Sequence, residues 1–308
     1  MRTTILVTLG SLLVAVTLRD VGHALLHPGG SGALSRGVMQ GLWRILAPVG
    51  RRREGVLAVT GPIIFVSVLL TWTVLLATGW ALLYWPALPD GFRFASPLDP
   101  GAHDGFDDAL YLSVVTLSTL GYGDVTPTAG WLRVAAPLEA LVGFALLTAG
   151  ISSVLSLYPV LARRRALAHR VAIARKAAAA SHSALPLSPR EAARWLAQAT
   201  DDLALVHAEL LQNPMTYYFH DPGEPLALPA ALPSLAAWSD AALQSSGADV
   251  RFYGAALGRA VDDLLAHVGD TYLGHRERGR AALLRAYARD HGRAPAPSTD
   301  DGGEHRAV

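Results

Sequence analysis

The chain has 308 residues, 51% of them hydrophobic and 17% charged, with a mean hydropathy of +0.30. Soluble domains carry roughly a quarter of their residues as charges, so this composition excludes an ordinary soluble domain. The net charge is only +1 and there is no cysteine, which removes disulfides and thiolate metal sites. Lys176 is the single lysine; with so much Ala, Gly and Pro, the arginine excess points to a coding bias and not to a nucleic-acid partner.

Residues 3–18 are apolar between Arg2 and Arg19-Asp20. That is slightly short of the ~20 residues that cross a hydrocarbon core. No small-residue cleavage site precedes His23, so residues 1–27 read as a transmembrane helix and not a signal peptide. His23 and His27 share a helical face, but an interfacial helix end stopped by Pro28-Gly29-Gly30 is preferred to a shared metal. Residues 28–55 form a linker. In it Leu34, Val38, Leu42 and Ile45 recur at helical spacing, with Arg36, Gln40 and Arg44 off the stripe. Trp43 suits a headgroup boundary, so the pattern predicts an amphipathic interfacial helix, followed by Arg51-Arg52-Arg53.

Residues 56–85 carry no charged side chain and are long enough to span with tilt. Pro62 lies near the start, where a missing N–H does little harm. Trp80, Tyr84 and Trp85 at the far end read as an aromatic belt. The next loop is acidic: Asp90, Asp99, Asp104, Asp107 and Asp108 outnumber Arg93, whereas residues 19–55 are basic. The positive-inside rule places the basic loop in the cytoplasm and the acidic loop outside, where it raises local cation concentration.

A short helix is predicted over 108–118, with Asp107 or Asp108 as N-cap. It leads into Thr119-Leu120-Gly121-Tyr122-Gly123-Asp124. Gly121 and Gly123 permit positive φ, so successive backbone carbonyls can point at one axis and replace the water of a desolvating cation. Thr119 offers a further hydroxyl oxygen, and Tyr122 is large enough to pack outward and hold the loop open. Non-helical backbone at membrane depth is tolerated only where protein encloses it. The helix's C-terminal carbonyls, the negative end of its dipole, favour a cation nearby.

Residues 132–161 form the second span of this unit and end at Arg163-Arg164-Arg165. Pro137 and Pro159 are expected to bend it. Glu139 is the only charge inside it until that end apart from Arg133 at its start. An intramembrane carboxylate is costly and is functional or paired. Glu139 is expected to face the back of the preceding short helix as an anchor, bonded to hydroxyls such as Ser113 or Thr116.

The run Ala109-Leu110-Tyr111-Leu112-Ser113-Val114-Val115-Thr116-Leu117-Ser118-Thr119-Leu120-Gly121-Tyr122-Gly123-Asp124-Val125-Thr126-Pro127 resembles the pore helix, selectivity filter and outer mouth of bacterial two-transmembrane potassium channels. In these, rings of backbone carbonyls stand in for the ion's hydration shell. The likeness covers about residues 61–165. It implies an all-α membrane protein, a pore-loop tetramer with an outer helix (56–85), pore helix (108–118), filter (119–123) and inner helix (132–161) inside a pore domain (56–162). It also implies passive K+ conduction by a homotetramer in the cell membrane. K+ would be held at Thr119, Leu120, Gly121, Tyr122 and Gly123, with Asp124 at the outer mouth and no cofactor beyond the permeant ion. Gly143 and Gly150 are hinge candidates or close-packing positions, and Ile151, Ser152 and Leu155 are gate candidates. Tyr111 and Leu112 fall where relatives buttress the filter tyrosine. Val115 replaces a carboxylate found in relatives, so no carboxyl pair with Asp124 forms through it. Leu120 replaces the common valine or isoleucine, which keeps a weakly selective cation channel as an alternative.

Residues 161–183 are basic and Ala-rich, continuing the inner helix near anionic headgroups. Ser188-Pro189-Arg190-Glu191 is a capping box with proline at the first helical position. It opens a helix to about Gln212, with Trp195, Ala199, Leu203, Val206 and Leu210 on one face. Further helices near 234–244, 249–268 and 270–291 complete a cytosolic helical domain (163–291), and 292–308 reads as a disordered tail. No Gly-x-Gly-x-x-Gly, calcium loop or cyclic-nucleotide barrel is evident, so a cytosolic effector is unidentified. A membrane-anchored ligand sensor with a vestigial filter is the remaining alternative. No nucleophile–base pair, metal cluster or phosphate loop favours an enzyme, and His207 and His220 lack metal-ligand spacing. Tyr217-Tyr218-Phe219-His220-Asp221 reads as core packing between helices in preference to an effector pocket.

Overall fold

The computed structural model describes residues 1–26, 30–50, 54–180, 188–221, 223–274 and 279–293. His27, Pro28-Gly29, the Arg51-Arg52-Arg53 triplet and 294–308 of the expected tail lie outside the described residues. Two compact units emerge: Met1–Gly41 with Ile63–Leu157, and Leu42–Pro62 with Tyr158–Val308.

The first unit contains α1 (Arg2–Leu26), the start of α2 (Ala33–Gly50), most of α3 (Glu54–Tyr84), α4 (Phe106–Leu117) and the first half of α5 (Leu132–Ala180). Among the described residues, three stretches are long and apolar enough to cross a membrane: Arg2–Ala24, Val56–Ala87 and Leu132–Ala180. On α1, Gly10, Val14, Thr17 and Asp20 are buried at three- and four-residue steps, while Ile5, Leu9, Leu12 and Val16 face outward. The buried stripe meets α3, where a Cβ on Gly10 would lie 2.6 Å from the Gly79 carbonyl oxygen.

Asp20 closes the cytoplasm-facing turn expected for α1 in an unexpected way. Its buried carboxylate accepts the Leu34 and Ser35 N–H groups at 2.8 and 3.0 Å and the Trp72 indole N–H at 2.9 Å. The orphan donors at the start of α2 are thus capped by a residue of α1.

Beyond α3 the acidic loop is partly ordered as a strand. β1 (Phe92–Phe94) pairs antiparallel with β2 (Val125–Pro127), Phe92 opposite Pro127 and Phe94 opposite Val125. The α4 helix starts earlier than the sequence suggests. Gly105 is its N-cap, and the Asp108 carboxylate, inside the first turn, accepts the Gly105 N–H at 3.2 Å. Asp107 and Asp108 are therefore first-turn residues, not the N-cap.

The second unit holds the Leu42–Pro62 segment, the second half of α5, α6 (Pro189–Gln212), α7 (Leu228–Leu243), α8 (Ala248–Thr271) and α9 (Arg280–Asp290). The α6 capping box forms, with Ser188 N–H on Glu191 at 3.0 Å and Glu191 N–H on Ser188 Oγ at 3.4 Å. Leu196, Leu203, Leu232, Leu235, Leu257 and Leu264 are fully buried between these helices. Helix α7 begins before residue 234, passing through Pro229 and Pro233. Pro229 sits in the first turn, where its missing N–H costs little, and burial of Leu228, Leu232 and Leu235 on one face offsets Pro233. The expected helix over 270–291 is shorter, with α9 spanning Arg280–Asp290 after positive φ at Gly274 and Gly279.

Trp43 corrects the reading of α2. Its ring is 6% exposed inside the second unit, edge-on to Tyr217 and Tyr218 at 5.9 and 5.5 Å, with its N–H on Asp290 at 2.9 Å. The ring is covered by protein and not presented to headgroups. The buried stripe of α2 is Ser35, Met39, Trp43 and Ala47, one position beyond the aliphatic stripe, whose Ile45 is exposed. Tyr217 and Tyr218 are core residues of this unit. Arg164, expected to mark a helix end, is buried and ion-paired with Asp221 at 2.9 Å.

Candidate functional site

Helix α4 ends at Leu117, and Ser118 caps it by donating its N–H to Val114 O at 2.9 Å. The chain then alternates in hand. Thr119, Gly121 and Gly123 have φ of +60, +53 and +78°, while Leu120 and Tyr122 keep negative φ. Glycine takes this conformation freely. For the β-branched Thr119 it is a strained position, held by its N–H on Thr116 O at 2.9 Å.

Successive N–H groups in such alternating backbone converge on one side. Here Leu120 and Gly121 both donate to Val115 O, at 3.0 and 3.4 Å. The carbonyls are left to the opposite side. Among the described residues no hydrogen bond ends on the carbonyl oxygens of Thr119, Leu120, Gly121, Tyr122 or Gly123. The Leu120 and Tyr122 side chains are 59% and 67% exposed, so most of the Tyr122 surface is left uncovered by its own chain.

At the far end of the loop, Asp124 O accepts the Ala95 N–H at 2.7 Å. The Asp124 carboxylate accepts the Tyr111 hydroxyl at 2.6 Å. Tyr111, read as a buttress for Tyr122, partners Asp124, one turn of α4 before the carboxylate position that Val115 vacates.

Behind the loop, Glu139 is fully buried. It accepts the Ser113 hydroxyl at 2.5 Å and the Tyr84 hydroxyl at 2.6 Å. Thr116 turns back to Leu112 O at 2.7 Å. Tyr84 is not a belt residue; it has no exposed surface. A signal for this was present in the sequence. Ile64, Val68, Trp72, Leu76, Trp80 and Tyr84 recur every four residues, and all are buried.

One turn beyond Glu139 on the same face of α5, a Cβ on Gly143 would lie 1.7 Å from the Leu117 carbonyl oxygen. At Gly150 the nearest atom is a Leu69 side-chain carbon at 3.3 Å. Ile151 and Leu155 are 56% and 69% exposed, and Ser152 is also exposed. Ile151, Phe144 and Leu147 line an apolar cavity of about 550 Å³ with Phe65 and Leu69, and Thr119 borders it. Helix α5 runs unbroken through Pro137 and Pro159. Among the described residues no group of three or more His, Asp or Glu is placed to hold a metal ion.

Two apolar spans flanking a short helix and a loop of unpaired carbonyls define an all-α membrane protein of the pore-loop type. Residues 63–158 match a family model described as "Ion channel", which points to a non-enzymatic membrane protein. The uncharacterized membrane protein YdjJ of Bacillus subtilis is 24% identical over 157 residues, covering 51% of this chain and 45% of that protein. Protein LctB of Bacillus caldotenax is 36% identical over 83 residues, 25% of this chain and 60% of its own length. Two-pore potassium channel 5 of Arabidopsis thaliana is 41% identical over 49 residues, 16% of this chain and 12% of that protein. The chain thus covers less than two thirds of the length of each of these relatives. No solved structure matches.

Proposed function

We propose that the chain is one subunit of a potassium-selective channel in which four copies bring residues 119–123 around a common axis. The observation that carries this is the loop itself: five carbonyls without a donor among the described residues, on backbone of alternating hand. Carbonyls so arranged replace the water of a permeating cation. K+ is then held at Thr119, Leu120, Gly121, Tyr122 and Gly123, with no other cofactor. The similarity to a plant protein whose name is a potassium channel supports the ion assignment.

One loop cannot enclose a pore. The exposed apolar side chains Leu120, Tyr122, Phe144, Leu147 and Leu155 are the kind of surface a neighbouring copy covers. The acidic loop with Asp124 faces outward from the cell membrane, and the helical second unit lies in the cytosol near anionic headgroups. Ile151, Ser152 and Leu155 are where the lower pore narrows. Leu120, in place of a β-branched residue, favours the second reading, a weakly selective cation channel.

The purified chain in liposomes decides between these. A K+ gradient should drive flux, Na+ should pass far more slowly, and Tyr122→Ala should abolish the preference. Equal K+ and Na+ flux selects the second reading. No flux of either cation refutes a channel.

A further inference from the structure

We infer that Tyr84, Ser113 and Glu139 are positioning residues that set the ion preference of the loop from behind; this deepens the potassium-channel reading and rests on it. The loop has few supports of its own. Open space surrounds the Cβ positions of Gly121 and Gly123, and among the described residues its N–H groups bond only to the last turn of α4, at Val115 O and Thr116 O. The inner end of the loop therefore inherits its place from α4, while its outer end is tied at Asp124 and β2.

Helix α4 in turn is fixed by a seam. Ser113 and Leu117 lie four residues apart on α4, and Glu139 and Gly143 lie four residues apart on α5. Such pairs stack on one helix face, so the two faces meet in register. At one level the Glu139 carboxyl bridges the Ser113 and Tyr84 hydroxyls, joining α3, α4 and α5 among three side chains shielded from solvent. One turn on, the Leu117 carbonyl rests on Gly143.

A carboxyl shut away from water needs both partners, so the bridge resists sliding or rotation of α4. Ser113 is two residues from Val115, whose carbonyl holds the Leu120 and Gly121 N–H groups. A shift of α4 that loosens the bridge moves that acceptor and, with it, the spacing of the carbonyls. Discrimination between alkali cations depends on the number and placement of those oxygens. None of the three side chains touches the ion.

The test measures the K+/Na+ permeability ratio from reversal potentials under bi-ionic conditions. It compares the full chain with Tyr84→Phe, Ser113→Ala and Glu139→Gln in planar bilayers. Tyr84→Phe and Ser113→Ala should each lower the ratio by about tenfold, the equivalent of one hydrogen bond, while K+ current persists. Glu139→Gln, which keeps one acceptor oxygen, should fall between them and the unaltered chain. An unaltered chain without selective current overturns the channel reading and the inference together. A selective unaltered chain whose Tyr84→Phe and Ser113→Ala variants keep its ratio overturns the inference alone. Failure of both variants to assemble overturns it too, because the bridge would then hold the fold and not the loop.

Discussion

Gly143→Ala tests the seam by sterics alone, with no assumption about conduction. The added Cβ would sit 1.7 Å from Leu117 O, against 3.4 Å where ordinary contact begins, a shortfall of 1.7 Å (3.4 − 1.7). The obstacle is backbone, not the end of a flexible side chain, so a rotamer change cannot relieve it. Rotation of α5 is opposed one turn earlier, where Glu139 is tied to Ser113 and Tyr84. Overpacking of this kind costs about 1–3 kcal/mol, and the higher helix propensity of alanine returns at most about 1 kcal/mol.

Gly150→Ala is the control. Its Cβ would meet only Leu69 methyl groups at 3.3 and 3.7 Å, so the same gain of about 1 kcal/mol leaves it neutral or slightly stabilised. Thermal unfolding of the purified protein in detergent, followed by tryptophan fluorescence, compares the two. The Gly143 variant should melt lower than the unaltered chain, and the Gly150 variant should not. Equal melting temperatures, or the reverse order, would refute the close contact between α4 and α5.

In the second unit, burial holds His207, His267 and His291 below the usual imidazole range. Asp263 opposes the shift at His207 and Asp270 at His267; the nearby His207 adds to it at His267, as do Arg164, His220 and Arg293 at His291. With folded pKa values depressed, no penalty exists above the unfolded value of about 6.5. As pH falls below that, the unfolded chain takes up protons first, so stability declines until the folded values are passed. Melts near pH 7.5 and pH 5 should show a lower transition in acid and a smaller drop in His267→Gln; identical drops would contradict the burial argument. Arg164→Met should cost about 3 kcal/mol, because the Thr216 and Phe219 carbonyls lose their donor and the buried Asp221 carboxylate keeps only Arg165, at 2.9 Å. The exposed Arg175–Glu224 pair should yield no more than about 1 kcal/mol on Arg175→Ala, and equal effects of the two substitutions would count against the burial of the first pair.

Features encoded within a few neighbouring residues were legible without coordinates. The membrane spans follow from uninterrupted apolar runs, the α6 start from Ser188 and Glu191 three apart, and the left-handed loop positions Gly121 and Gly123 from glycine itself. Burial of Glu139 and its bond to Ser113 were expected because a carboxylate in an apolar helix needs a donor and the short helix offers hydroxyls.

The remaining contacts join residues far apart in the chain. Tyr84 and Glu139 are separated by 55 positions, Asp20 and Trp72 by 52, and Trp43 and Asp290 by 247. The sequence alone assigns Tyr84 and Trp43 to a membrane boundary because an aromatic ring with a polar tip fits such a boundary and a buried hydrogen bond equally well. Periodicity says that a face is covered, not what covers it. Gly143 likewise reads as a hinge or a packing point until Leu117 is brought against it. Local backbone preference is written in adjacent residues, whereas the partner of a buried polar group exists only once the helices have docked.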